Sequence, residues 1–330
     1  MPFKVEKNAP GPDPMAQKTA LILLVEPRIV EVSQRTLEGL GHRYLFARDH
    51  EEALEALKKE RVDLLIWTIR KKDEDFAFFD KAQKLCPSCP GIAFIDESLE
   101  QYFPELLRRA WPRNLIADNC PPDYAELTAT IRKLLTGDIF GISKYGVPPE
   151  ETIAVASSGE KYGLIQKVSG FYRSKGVQGR LVQNVELILN ELLMNAIFDA
   201  PTDAGGQKRY YHLSRSEVFP LAPGERPEVQ YGINNDRLAV SVSDPFGNFR
   251  KETFFSCVNR CFSEKSVLED QSQGAGMGLF MAFKALNQMV INVDYRKKTE
   301  VIAMIDHHAS AGELKKKRHS FHYFHLGDQP

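Results

Sequence analysis

From Ala20 onward the chain alternates short, wholly apolar runs with stretches of helical period. Ala20 to Val25 is apolar, Pro27 to Gly41 reads as a helix ending at a glycine, Arg43 to Phe46 as a short strand, His50 to Lys59 as a helix, and Val62 to Trp67 as a second buried run. A helix near Asp75 to Leu85, a strand Gly91 to Ile95, a helix around Leu99 to Ala110, a strand near Asn114 to Ala117 and a helix Tyr124 to Leu135 continue the pattern. Runs without polar alternation belong to strands covered on both faces, and strands separated by helices belong to a parallel sheet. Residues 19–137 are therefore expected to form a doubly wound, flavodoxin-like parallel sheet.

The second half has a different rhythm. A strand near Thr152 to Ser157 and a helix Lys161 to Lys175 precede a helix from Leu181 to Ala200, whose apolar stripe runs Val185, Leu189, Leu192, Ala196. Asn234-Asn-Asp reads as a hairpin turn before Leu238 to Asp244 in strict alternation. Strands are expected again at Thr299 to Ile305 and around His319 to His325. Between the halves, Gly137 to Glu150 holds three Gly and two Pro, so 138–150 is expected as a linker, followed by a second domain over 151–330. Residues 1–18, rich in Pro, Lys and Gly, read as a disordered leader.

Composition narrows the classes. With 43% hydrophobic and 26% charged residues the chain is of ordinary globular type, and a net charge of -1 offers no footprint for nucleic acid. The basic run Lys315 to Arg318 reads as a solvated turn. No apolar run approaches the roughly 20 residues that cross a bilayer, so no membrane role is expected. Five cysteines without a dense framework fit a reducing, cytoplasmic setting. Cys86 and Cys89 form a single CxxC in a proline-punctuated connection, with no second pair to complete a zinc site. His319, His322 and His325 are spaced by three, which on a strand turns successive members to opposite sides.

Leu21-Ile-Leu-Leu-Val-Glu-Pro, the Gly41-His-Arg-Tyr turn, Asp49-His-Glu-Glu-Ala-Leu-Glu-Ala-Leu and Asp63-Leu-Leu-Ile-Trp-Thr resemble a response-regulator receiver domain over residues 20–136. In that family two acidic residues after the first strand hold Mg²⁺, an Asp ending the third accepts phosphate, and the fifth carries a Lys. Here those places hold Glu26 with Pro27, Thr68, and Asn119 or Cys120. A hydroxyl cannot form an acyl phosphate, so the resemblance implies a pseudo-receiver kept for partner docking or dimerisation.

Three elements in the second half carry candidate chemistry. The first is a polar stripe on the Leu181 to Ala200 helix, Asn184, Glu191, Asn195 and Asp199, rich in acceptors and without a cation. One turn apart, Glu191 and Asn195 can together address a magnesium ion, Asn195 as ligand and Glu191 through water or as a base. The second is Asp244, in phase with the buried Leu238, Val240 and Val242 and therefore in need of a partner such as an exocyclic amine; Gly247 follows, where a ring could approach the backbone. The third is Gly274-Ala-Gly-Met-Gly-Leu-Phe, glycines running into a helix, whose freed amides suit a triphosphate.

In this order the three elements resemble the N, G1 and G2 boxes of the GHKL ATPases (gyrase, Hsp90, histidine kinase and anti-sigma kinase relatives) over about residues 150–306. The resemblance implies a C-terminal two-layer α/β sandwich of the Bergerat type that binds ATP and Mg²⁺. Asn195 would hold the metal, Asp244 would read adenine, with Thr299 near it, and Gly274, Gly276 and Gly278 would wrap the phosphates. The span Asn248 to Gln273 falls where that family has its mobile lid. The Glu-x-x-x-Asn-Ala form is similar to the anti-sigma-factor serine kinases, which makes Glu191 the base for a Ser or Thr hydroxyl of a regulatory partner protein. Two departures stand out: Asp244-Pro-Phe-Gly247 has one glycine where the family has Asp-x-Gly-x-Gly, and no cation follows Asn195, where Phe198 and Asp199 stand. A nucleotide-sensing or purely protein-binding switch therefore stays open beside the kinase.

Overall fold

In the computed structural model, residues 17–23, 25–109, 112–118, 123–203, 205–263, 277–307 and 318–327 are described. The first half follows the alternation closely: β1 (Thr19–Leu23), α1 (Pro27–Gly39), β2 (Arg43–Ala47), α2 (His50–Lys59), β3 (Leu64–Ile69), α3 (Lys72–Leu85), β4 (Gly91–Ile95), α4 (Phe103–Arg108), β5 (Asn114–Ala117) and α5 (Tyr124–Thr136). The expected helix over Leu99 to Ala110 is broken into a 3-10 turn, Leu99–Tyr102, and α4, which starts beside Pro104. Local chemistry sets the helix ends. Asp49 caps α2 by accepting from the Glu52 amide at 2.8 Å, and Gly137 stops α5 in the left-handed region at φ +74°.

These five strands are parallel, in the order β2-β1-β3-β4-β5. Alternate residues bury opposite faces: Leu21, Leu65, Trp67 and Ala93 against α2 to α4, and Ile22, Leu64, Ile66 and Phe94 against α1 and α5. Strand order and helices on both faces define a flavodoxin-like fold, the one receiver domains share.

The second half comprises β6 (Glu151–Ala154), α6 (Lys161–Ser174), α7 (Gly179–Met194), β7 (Glu228–Ile233), β8 (Arg237–Asp244), α8 (Lys251–Ser263), α9 (Met277–Lys284), β9 (Gln288–Asp294), β10 (Lys298–Asp306) and β11 (Ser320–Leu326). The order is β11-β9-β10-β8-β7-β6, antiparallel except for β11 beside β9. Leu238, Val240 and Val242 of β8 pack with α6, α7 and α9 in one apolar core. The helical stretch Gly179–Asp199 is, among the described residues, the one long and apolar enough to cross a membrane, with a mean hydropathy of 1.2; its apolar side is committed to this core.

The two halves share one sheet. β5 pairs antiparallel with β11 through Leu115 and Phe321 and through Asn114 and His322, making eleven strands in all. The β5 edge, a surface available for docking in a free-standing sheet, is thus occupied within the chain. The 138–150 segment differs from a solvated tether for the same reason. Ile139, Ile142, Tyr145 and Val147 are buried under the far face of the second sheet, against Ala239, Val290, Ile302 and Phe324. All of β8 is therefore buried rather than alternately exposed.

Polar groups at this seam are paired. Lys133 of α5 is buried, its Nζ 2.8 Å from Asn292 Oδ1 and 3.1 Å from the Tyr145 hydroxyl. Asn292 donates on to Glu300 at 2.8 Å, and the Gly141 amide donates to the same carboxylate at 2.9 Å. Burial holds the Lys133 ammonium well below its ordinary value, against the pull of Glu300. His322 of β11 meets Glu126 of α5 at 2.7 Å; burial, with Lys133 nearby, pushes it down to about 3, so its ring is neutral.

Candidate functional site

The C-terminal ends of the parallel strands hold the receiver-like positions. Glu26 is the N-cap residue of α1, and its side chain makes no capping bond. Thr68 lies buried in β3, and among the described residues its hydroxyl has no hydrogen-bond partner. Asn119 and Cys120 lie outside the described residues. Asp118 was not singled out by the sequence; burial raises its carboxyl, and neighbouring Glu26 and Asp96 add to the effect. Among the described residues no three His, Cys, Asp or Glu side chains are arranged to hold a metal ion.

The second constellation is better assembled. Glu191, Asn195, Asp244, Gly247, Gly278 and Thr299 all line one open cleft of about 1540 Å³. They come from α7, the end of β8, the start of α9 and β10, so only the tertiary fold brings them together. Gly274 and Gly276 lie outside the described residues, as do residues 264–273 of the segment expected as a lid, whose first part carries α8. Asn184, on the same stripe, serves the packing instead: its amide donates to the Ala285 carbonyl at 3.0 Å beyond the end of α9.

At Asn195 the helix changes gauge. Residues Asn195–Asp199 form a π-helical segment, in which the Ala200 amide donates to the Asn195 carbonyl at 2.8 Å. Such widened turns are costly and concentrate where a helix serves a site. The Asn195 side chain is half-buried and lines the cleft. Glu191 Oε1 accepts from Asn190 at 3.0 Å, and Lys161 Nζ sits 3.0 Å from Asn190 Oδ1. The other Glu191 oxygen rests against Gly278 so closely that a methyl group there would collide with it. The carboxylate thus lies at the N-terminal end of α9, where the helix dipole favours negative charge.

Asp244 stands at the inner end of β8, opposite Thr299 of β10. Burial pushes its carboxyl up to about 7, opposed by hydrogen bonds from the Phe246 and Gly247 amides and the Thr299 hydroxyl. The Phe246 bond, 2.9 Å to Oδ1, is the turn-opening contact an Asp-Pro sequence is expected to make. Gly247 has a different purpose from the one expected. At φ +62° it lies against the turn after β9, where a methyl group would strike the Asp294 carbonyl, so its glycine is fixed by backbone packing.

Sequence reasoning missed the cleft's cations, Lys208, Arg215, Arg250 and Arg296. Arg215 binds Asp199 at 2.8 Å and lies over the Phe198 ring at 5.0 Å, the two residues standing where the sequence offered no cation. It comes from an irregular connection, and periodicity gives no signal there.

The arrangement defines a class: a flavodoxin-like domain built edge to edge onto a second α/β unit that carries a polar cleft. No family profile and no curated protein matches the chain. Among solved structures, several receiver-type proteins cover somewhat over a third of this chain. A CheY-like response regulator receiver domain protein from Methanospirillum hungatei is 25% identical over 37% of this chain and 96% of its own, with a TM-score of 0.32. A signal receiver domain of an HD domain-containing protein from Pseudomonas fluorescens is 19% identical over 40% and 94%, TM-score 0.32. A response regulator from Thermotoga maritima is 15% identical over 37% and 99%, TM-score 0.33. The fold of the first half rests on its own strand order and connections.

Proposed function

We propose that the C-terminal cleft binds Mg-ATP in the manner of the GHKL proteins, and that the chain is a signalling protein whose receiver-like half no longer accepts phosphate. The observation carrying this reading is the convergence of Glu191, Asn195, Asp244, Gly278 and Thr299 on one cleft, with Asp244 buried and raised to about 7. A carboxylate held there at a cost is relieved by a donor, and the exocyclic amino group of adenine is such a donor. Asn195 would contribute an oxygen to Mg²⁺, the remaining ligands coming from phosphate and water. The start of α9 at Gly278, with Gly274 and Gly276 before it, would receive the phosphates.

Glu191 would take the proton of a Ser or Thr hydroxyl on a regulatory partner protein as that oxygen attacks the γ-phosphorus of ATP and the bond to the departing ADP breaks. Positioning and charge provide most of such catalysis, so few parts are needed. A non-catalytic switch is the second reading, favoured by Gly247: the turn after β9 already fills the space beside it, leaving a single glycine for backbone packing rather than for nucleotide.

Thermal denaturation with and without Mg-ATP tests binding. Saturation to one hundred times Kd should stabilise the protein by about 2.7 kcal/mol, and Asn195→Ala should lose the magnesium-dependent part. An unchanged midpoint at millimolar Mg-ATP would remove both nucleotide readings. Radiolabel transfer to a captured partner then separates kinase from switch.

A further inference from the structure

We infer that Arg215 is the phosphate-binding cation of the cleft, delivered by the connection between α7 and β7 to the end where Glu191 and Asn195 lie. The inference rests on reading the cleft as a nucleotide site. Among the described residues Lys208, Arg215, Arg250 and Arg296 line that cleft, and the contacts of Arg296, Lys208 and Arg215 differ. Arg296 lies in the turn beside Gly247, its amide donating to the Gly247 carbonyl at 3.3 Å and its guanidinium lying over the Tyr295 ring at 5.2 Å. Lys208 Nζ lies over the Tyr211 ring at 4.9 Å. Arg215 is held by Asp199, the last residue of the π-helical segment that Asn195 opens, and covers Phe198 of the same segment. Both its charge and that of Glu191 are felt at Lys161 of α6, and Arg215 and Glu191 both line the cleft.

The segment presenting Arg215 is built to hold it. Among the described residues of 200–227 the regular structure is one short helical turn, Pro223–Glu225, with isolated bridges at Thr202–Lys208 and Ser157–Pro220, and connections this long with so little regular structure are usually functional. This one is anchored: the Tyr210 hydroxyl donates to buried Glu225 at 2.8 Å, and the Tyr210 and Phe219 rings lie 4.7 Å apart. Ser158 Oγ donates to the Glu217 carbonyl at 2.9 Å. The Arg215–Asp199 pair itself, with side chains 41% and 26% exposed, adds little to stability. What it provides is placement of a planar donor, suited to bidentate contact with phosphate oxygens. When nucleotide enters, the guanidinium keeps one edge on Asp199 and turns the other to the terminal phosphate.

Calorimetric titration of the full chain with ATP, ADP and adenosine, each with Mg²⁺, tests this. Arg215→Ala should weaken ATP binding by at least about tenfold, as expected for a lost charge-assisted hydrogen bond, ADP less, and adenosine not at all; Arg215→Lys should recover part of the loss. Equal affinities of wild type and Arg215→Ala for ATP would overturn the assignment of Arg215 while leaving the nucleotide site. A parallel loss for adenosine would overturn it too, by showing a merely structural role. Wild-type protein that binds none of the three would overturn both readings.

Discussion

Thr299 lies directly opposite Asp244 across the β8–β10 ladder, its hydroxyl favouring the ionised Asp244 carboxylate. The pair joins the floor of the cleft to the centre of the sheet. Its chemistry is conflicted, because the hydrogen bonds favour the anion while burial disfavours it more strongly. A carboxyl raised to about 7 releases its proton later in the folded chain than in the unfolded one. Between the ordinary carboxylate range and pH 7 the folded state therefore binds more protons, and stability falls as pH rises through that window.

Asp244→Asn should accordingly raise the melting temperature relative to wild type at pH 8 and leave it nearly unchanged at pH 5. The ionised form is the acceptor that adenine needs, so adenosine affinity of the wild type should increase from pH 6 to pH 8 and level off above. Melting curves and adenosine titrations at these pH values check both statements. A flat profile would show that Asp244 does not touch the base.

The two glycines at the cleft should respond oppositely. Gly247→Ala places a methyl group against backbone at a positive φ, and should destabilise by about 2–5 kcal/mol in urea denaturation. At Gly278 the obstacle is the end of the Glu191 side chain, which can move. Gly278→Ala should cost under about 1.5 kcal/mol of stability while displacing Glu191 and weakening Mg-ATP binding.

Across the seam, Lys133 joins α5 to Asn292 of β9 and to Tyr145. Lys133→Ala removes a buried side chain and strands Asn292, for an expected loss of about 2–5 kcal/mol. Because β5 and β11 share one sheet, the variant should still unfold in a single transition with the same m-value. Two separated transitions in calorimetry would show that the halves are independent.

Lys251 links the receiver-like half to the cleft on the other side. Its Nζ reaches the Arg109 carbonyl at 2.6 Å at the end of α4, while Arg250 and Glu252 beside it line the cleft. Burial lowers this ammonium to about 8. The folded state thus favours the neutral amine, and Lys251 penalises stability most below pH 8, a penalty relieved as pH rises from 8 towards the ordinary lysine value. Lys251→Met should flatten that rise, measurable as melting temperature between pH 7 and 9.5.

Much of this was legible in advance. The strands β1, β3 and β4 are apolar throughout because both faces are covered, and the periodic helices between them leave little alternative to a parallel sheet. Glu191, Asn195, Asp244, Gly278 and Thr299 were expected at a common site because their order along the chain resembles the GHKL boxes, and they line one cleft. The seam could not be foreseen. β5 and β11 are far apart in sequence, and the apolar pattern of each marks it as a buried strand without naming the neighbour, whether at the Leu115–Phe321 pair or at the polar Asn114–His322 pair. β9 left a signal that went unused, the apolar run Met289 to Ile291 with Val293 beyond Asn292. Arg215 and the π-helical turn left none, since an irregular connection has no period and one wide turn barely alters a helical stripe.

The central claim, a nucleotide site at the meeting of α7, β8 and α9, is tested most directly by isothermal titration of the full chain with Mg-ATP, beside Asp244→Asn and Asn195→Ala. The account predicts saturable one-to-one binding to the wild type, loss of binding in Asp244→Asn, and an affinity in Asn195→Ala that no longer responds to Mg²⁺. Heats indistinguishable from dilution in the wild type at millimolar nucleotide, or binding that both substitutions leave untouched, would contradict it.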